Sequence, residues 1–312
     1  MIGELTEALW EECRRLGFIA CGVASLEPSR RADALEAWLK AGYGGTMRYL
    51  HRRAKKRKRP GDIVAGAVVA VVVLDNYGAG RGSRDGNPGV KIAQYARGED
   101  YHRVLMGRLV QLAEWLTARG ATVAHPWADD GPVPERELAQ RAGLGWIGKN
   151  TMLIRPGSGS FCFIGTVFTD LALAPAEAPD YDRCGSCTRC LEACPTDALV
   201  APRILDATRC ISYLTIESRA PIPDALAPRL QGWAFGCDIC NDVCPWNTRF
   251  AEATSIAEYA DRGALPTGTA TFFDELSDQE FSDRFGDTAL ARPGLAGMRR
   301  NWAAAFNSRD SR

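Results

Sequence analysis

Histidine is nearly absent from this sequence: the 312 residues include only His51, His102 and His125, too scattered for a histidine-based metal site. Net charge is absent too. The 38 basic and 38 acidic side chains cancel, so no global field draws in or repels nucleic acid, and such a partner must be held by a local patch. No apolar run is long enough to cross a bilayer. The longest, Ile63 to Leu74, is Val-rich and reads as a buried strand. A signal peptide and a twin-arginine leader are also missing: residues 1–16 read as an amphipathic helix with Leu5, Leu9, Cys13 and Leu16 along one stripe. These absences lead us to expect a cytoplasmic location in a reducing compartment, with no membrane partner.

Cysteine is present in excess. There are eleven, and eight crowd between Cys184 and Cys244. In a reducing compartment such crowding argues for metal over disulfides. The first motif, Cys184-x2-Cys187-x2-Cys190-x3-Cys194-Pro195, is the bacterial ferredoxin run, whose fourth cysteine reaches the neighbouring cluster. The second, Cys237-x2-Cys240-x3-Cys244-Pro245, has the same ending without its first cysteine, and Cys210 upstream supplies that thiolate. Crossing the fourth cysteines gives Cys184, Cys187, Cys190 and Cys244 to one [4Fe–4S] cluster. Cys194, Cys210, Cys237 and Cys240 go to the other. Paired zinc sites are the alternative, but zinc knuckles show two separated C-x2-C pairs instead of a three-cysteine run ending in Cys-Pro. Cys13, Cys21 and Cys162 fall on helix or strand patterns and read as buried thiols.

The fold class expected is an α/β (α+β) N-terminal domain, then a ferredoxin-like module with two clusters, then a short helical C-terminal segment. Helix and strand signals alternate across residues 1–175. A helix ends near Gly17, a strand runs from Phe18 to Ala24, and a second helix runs from Ser29 to Gly42. A Gly-rich loop spans 78–89. Val104, Leu105, Leu109, Leu112 and Leu116 mark a long helix closed by Gly120. Strands are expected at 121–124, 151–154 and 161–168. A linker at 174–179 opens the cysteine module, 176–250, and residues 251–312 form the last segment. Two clusters side by side make an electron wire, and the N-terminal domain is its terminus.

Three further motifs carry competing readings. Gly143-Leu-Gly-Trp-Ile-Gly148, followed by Lys149-Asn150, fits a nucleotide loop only in letters, since such loops follow a strand and open a helix. Here a helical segment precedes it, and Lys149 and Asn150 are assigned to cofactor contact. Residues 52–59 contain seven basic side chains in eight, either a solvated face or a phosphate-binding patch. Asp129-Asp130-Gly131-Pro132, with Glu135 close behind, is a turn by composition; it can also supply a general acid whose pKa is raised by burial and a carboxylate neighbour.

The phrases Cys210-Ile-Ser-Tyr-Leu-Thr-Ile-Glu217, Gly236-Cys-Asp-Ile-Cys-Asn-Asp-Val-Cys-Pro-Trp-Asn247 and Gly143-Leu-Gly-Trp-Ile-Gly-Lys-Asn-Thr151 resemble those of the epoxyqueuosine reductases. So do Tyr95-Ala-Arg-Gly98, Asp100-Tyr-His102, Met47-x-Tyr49 and the late Arg300-Asn301. The resemblance implies an oxidoreductase that uses cobalamin and two clusters to remove the epoxide oxygen from the modified wobble base of tRNA. It implies a nitroreductase-like cobalamin domain, an external low-potential electron donor and a monomer. The proton donor maps to Asp129 and a cobalamin contact to Arg57, ahead of Pro60. This sequence has Asp130 where the family has Ser or Thr. His102 does not complete the D-x-H-x-x-G fingerprint of histidine-ligated cobalamin, because Leu105 stands in place of the glycine. A reductive dehalogenase and an electron-transfer ferredoxin subunit are the rival readings. The missing export leader counts against the first, and the large N-terminal domain against the second.

Overall fold

A computed structural model describes residues 2–80, 89–178, 181–263 and 269–309. Most of the expected Gly-rich loop (81–88) and the last linker residue, Pro179, lie outside the described residues. The first part runs α1 (Ile2–Arg15), β1 (Ala20–Ser25), α2 (Ala32–Lys40), α3 (Arg48–Lys58), β2 (Val69–Asn76), β3 (Lys91–Ile92) and α4 (Tyr101–Thr117). It continues through β4 (Ala124–Trp127), α5 (Glu135–Arg141), β5 (Trp146–Ile147), β6 (Leu153–Ile154) and β7 (Cys162–Thr169).

Four of these strands form an antiparallel sheet in the order β1-β2-β7-β4, with Val69 opposite Thr169 and Asn76 opposite Cys162. Strand β2 is apolar at nearly every position because both faces are covered. Val69, Val71 and Val73 pack with Leu9 of α1 and Leu105, Leu109 and Leu112 of α4. Ala70, Val72 and Leu74 pack with Leu138 and Ala139 of α5. The sheet thus lies between helices, which explains why the run shows no alternation. Its start differs from expectation: Pro60–Asp62 form a 3-10 turn and Gly66 takes a positive φ of 82°, so the strand begins only at Val69. The strand expected at 121–124 likewise begins late, because Thr122 and Val123 donate their N–H groups to the Asp170 carboxylate in a turn.

The second part comprises α6 (Arg189–Glu192), β8 (Leu199–Ala201), β9 (Ile204–Leu205), α7 (Ile211–Ile216), β10 (Trp233–Phe235), α8 (Ile239–Asp242), α9 (Pro245–Phe250), α10 (Asp278–Phe285) and α11 (Gly294–Asn307). The one-turn helices α6 and α8 sit at the same place in the two cysteine motifs. Strand β10 pairs in parallel with β3, and Phe235, Phe273, Phe285 and Trp302 share a core with Ile92.

Candidate active site and cluster cavities

The loop between β4 and α5 presents Asp129 in the left-handed region, φ 57°, which Asp tolerates better than most residues. Asp129 is exposed. Its Oδ2 accepts the Tyr101 hydroxyl at 2.6 Å, and its N–H donates to Glu135 Oε1 at 2.7 Å. Asp130 turns elsewhere: its Oδ1 accepts the Ala128 N–H at 3.3 Å, and its carbonyl accepts Arg53 at 2.9 Å. Gly131 is required by space, since a Cβ there would fall 2.3 Å from the Trp127 ring.

Helix α3 grips this loop from one side. Arg53 and Arg57, one helical turn apart, reach it together; Arg57 donates to Val133 O at 3.2 Å and Gly131 O at 3.4 Å. Arg57 Nε and Trp127 Nε1 are buried without a hydrogen-bond partner. The other face of α3 carries Arg52, Lys55 and Lys56, all exposed, while Lys58 is paired with Glu36 and Arg59 with Asp62 at 3.1 Å.

Burial, then the Asp129 charge, raises the Glu135 carboxyl well above the usual range. The same two causes hold the Tyr101 phenol well above its ordinary value, so it donates a hydrogen bond instead of ionising. Tyr95 is raised by burial and then by Asp238 and Asp129. Its ring lies 5.9 Å from that of Tyr101, which holds Asp129, and 6.1 Å from that of Phe235, which leads into the second cysteine motif. His102 lies at the start of α4, where Asp100 caps its N–H at 3.0 Å and pairs with Nδ1 at 2.8 Å. Burial lowers the imidazole pKa, but the Asp100 contact outweighs it, and the net direction is upward.

The motif cysteines lie close enough to act on one another. Burial raises Cys190, and so do Cys184, Cys244 and Cys187. Cys240 is raised by burial, then by Cys210, Asp238, Cys190 and Cys194, and Cys237 by burial, Cys240 and Cys210. Among the described residues no three His, Cys, Asp or Glu side chains are placed to share one ion. A cubane binds each thiolate at a separate iron and asks for wider spacing.

Cys184, Cys187, Cys190 and Cys244 line a cavity of about 120 Å³ with Lys149, Asn150 and Trp246. The donor set fits a cubane, and the surroundings supply hydrogen bonds to sulfur: Trp146 Nε1 to Cys184 at 3.5 Å, and the Ala198 N–H to Cys194 at 3.3 Å. The segment 143–151 supplies β5 and the turn of the β5–β6 hairpin, not a nucleotide loop. A Cβ on Gly145 would fall 2.2 Å from Ile154 O. Lys149 donates to Gly185 O at 2.6 Å and Cys187 O at 3.0 Å. Asn150 donates to Asn241 Oδ1 at 3.2 Å, within a buried network in which Asn247 bonds Ser160. Lys149 therefore braces the first cysteine motif and Asn150 the second. Tyr101 and Glu135 escaped the sequence reading. Glu135 was visible only as a neighbour of the turn, and Tyr101 belongs to a helix start distant in sequence.

A family model described as "4Fe-4S double cluster binding domain" matches residues 183–247, and one described as "Epoxyqueuosine reductase QueG, DUF1730" matches residues 57–129. An epoxyqueuosine reductase of Burkholderia pseudomallei is 38% identical over 336 residues, covering 98% of this chain and 82% of its own. A crystal structure of epoxyqueuosine reductase with an epoxyqueuosine-modified tRNA stem loop superposes with a TM-score of 0.90 at 27% identity, over 99% of this chain and 82% of that one. The enzyme of Bacillus subtilis, solved with a catalytic aspartate loop swung out of its active site, gives 0.87 at 27% identity, over 100% and 84%.

Proposed function

This chain belongs to the epoxyqueuosine reductase family, and from that premise we propose that it reduces epoxyqueuosine to queuosine at the wobble position of tRNA. Two electrons and two protons turn the epoxide into a cyclopentene and water. The cofactors are two [4Fe–4S] clusters and cobalamin; when bound, the clusters deliver electrons singly at low potential and the corrinoid delivers them as a pair to carbon. Cys184, Cys187, Cys190 and Cys244 would hold one cluster. Cys194, Cys210, Cys237 and Cys240 would hold the other. Arg57 and Trp127, each with a buried unpartnered N–H beside the acid loop, fit a cofactor with many amide and phosphate acceptors. Residues 1–175 would form a nitroreductase-like scaffold for it, residues 176–250 the cluster module, and residues 251–312 the closing segment.

The observation that carries this reading is the position of Tyr95, whose ring lies 5.9 Å from that of Tyr101, the hydrogen-bond partner of Asp129, and 6.1 Å from that of Phe235, which leads into Cys237 of the second motif. The acid and the electron source thus address one place. The departing epoxide oxygen develops negative charge and leaves only if it is protonated. Asp129 supplies this proton; its carboxylate accepts the Tyr101 hydroxyl and its N–H meets Glu135, which retains its proton at a higher pH than an ordinary carboxyl. The wobble base must leave the anticodon stack to reach the site. The exposed cations of α3 stand on the helix that holds the acid loop, and supply phosphate contacts there. Turnover of epoxyqueuosine-containing tRNA by the cluster- and cobalamin-loaded protein, read by nucleoside analysis, tests the proposal. Loaded protein that leaves the epoxide intact under a strong chemical reductant would refute it.

A further inference from the structure

We propose that the exposed first-cluster loop is the docking surface of an acidic one-electron carrier protein, steered there by Arg183 and Arg189. This rests on the function proposed above, which consumes two electrons per epoxide and therefore needs a supply from outside the chain. Each docking event transfers one electron, and two carriers are oxidised for each oxygen released as water.

The two motifs differ in their exposure. Around the first, Tyr181, Asp182, Arg183, Gly185, Ser186, Thr188 and Arg189 are all exposed. The second is flanked by buried residues, Trp233 to Gly236 and Asp238. Electrons therefore enter at the first tetrad and leave through the second, which borders Tyr95. The cavity over the first tetrad has a rim of one sign: Lys149, Arg183 and Arg189 line it, and no carboxylate does. Of the two acids close to these arginines in sequence, Asp182 is paired with Arg203 and Glu192 accepts the Thr188 hydroxyl. Among the described residues neither Arg183 nor Arg189 is ion-paired, and Arg183 lies 4.5 Å from the Tyr181 ring centroid, which holds it in place. Trp246, half-buried, lines the same cavity, and Tyr181 stands exposed beside Arg183. Aromatic anchors with an arginine rim are the composition of a transient protein interface. In a chain of zero net charge, such a rim attracts a partner of opposite sign locally and raises its encounter rate.

The other use of these arginines would be to balance the charge of the cluster itself. The test separates the two, using the fully loaded chain and flavodoxin as the acidic carrier. Binding is measured by fluorescence anisotropy at low and high salt, and cluster midpoint potentials by redox titration. Wild-type binding should weaken as salt rises. The double variant Arg183→Glu/Arg189→Glu should bind at least about tenfold more weakly at low salt and lose most of its salt dependence, with iron content and potentials held. Arg183→Lys/Arg189→Lys should retain binding. Unchanged affinity in the reversal variant overturns the proposal. So does a shift of potentials with binding intact, or a wild-type protein that viologen reduces but that binds no carrier. Viologen-driven turnover of modified tRNA tests the catalytic reading separately, since it needs no docking.

Discussion

At the residue scale the acid loop divides labour among side chains that the sequence presents as a simple turn. Asp129 faces outward with Tyr101 on its carboxylate, while Asp130 caps the turn. Asp129→Asn keeps size and polarity but cannot give a proton, so cofactor loading should persist while epoxide reduction collapses. Asp130→Ser should retain activity; loss of turnover there, with Asp129→Asn active, would move the acid by one residue. Tyr101→Phe removes one hydrogen bond to Asp129, about 0.5–1.5 kcal/mol, and should slow turnover by roughly two- to tenfold. Glu135 gives a stability signature. Its folded pKa lies above the ordinary 4.5, so above that pH the unfolded chain releases a proton that the folded chain keeps. Stability associated with Glu135 is therefore complete below pH 4.5 and is lost as pH rises through its folded pKa. Glu135→Gln should flatten this slope in thermal melts and leave the variant no less stable than wild type at neutral pH. The Asp129 turn was legible from residue types alone. Tyr101 and Glu135 were not, because their roles depend on the starts of α4 and α5 converging on the Asp129 loop.

At the scale of elements, α3 shows why a charge run can be misread. Seven cations in eight residues suggested one patch, yet the helix splits them by face. Arg53 and Arg57 point to the acid loop, Lys58 and Arg59 are paired, and Arg52, Lys55 and Lys56 remain exposed. No apolar stripe marks this helix, so periodicity could not find it; packing and its hold on the loop form it. Arg52→Ala/Lys55→Ala/Lys56→Ala should weaken tRNA binding and reduce the slope of log affinity against log salt by up to about 3, with cobalamin binding held. An unchanged slope would assign that face to solvent. The long amphipathic helices and the central strand were legible because burial imposes period and composition. The hairpin at 146–154 was hidden behind glycines that serve close backbone approach, a purpose that shares letters with phosphate loops.

At the scale of the whole molecule, the second cluster is assembled from distant parts of the chain, and this makes it the sensitive one. Cys210 stands at the start of α7, far from Cys237 and Cys240 in sequence, and α7 is positioned by α11. Arg300 donates to Leu214 O at 3.0 Å and Ser218 O at 2.9 Å, and the fully buried Asn301 donates to Thr215 O at 2.6 Å. On the other side the Tyr213 hydroxyl accepts the Thr46 N–H at 2.8 Å, which ties α7 to the entrance of α3. The C-terminal segment therefore acts on the cluster through one short helix. Cys210→Ser should leave the first cluster and remove a ligand of the second, so iron per chain after anaerobic reconstitution should fall from about eight towards about four. A full complement with unchanged spectra would show Cys210 to be a bystander. Asn301→Ala leaves the Thr215 carbonyl without its buried donor, a loss of about 1–3 kcal/mol, and carries no ligand of its own. If α7 is held as described, this variant should also lose iron from the second cluster first, while Trp146 and Lys149 keep the first in place. Equal loss from both clusters would mean that α11 supports the fold as a whole and has no particular hold on Cys210.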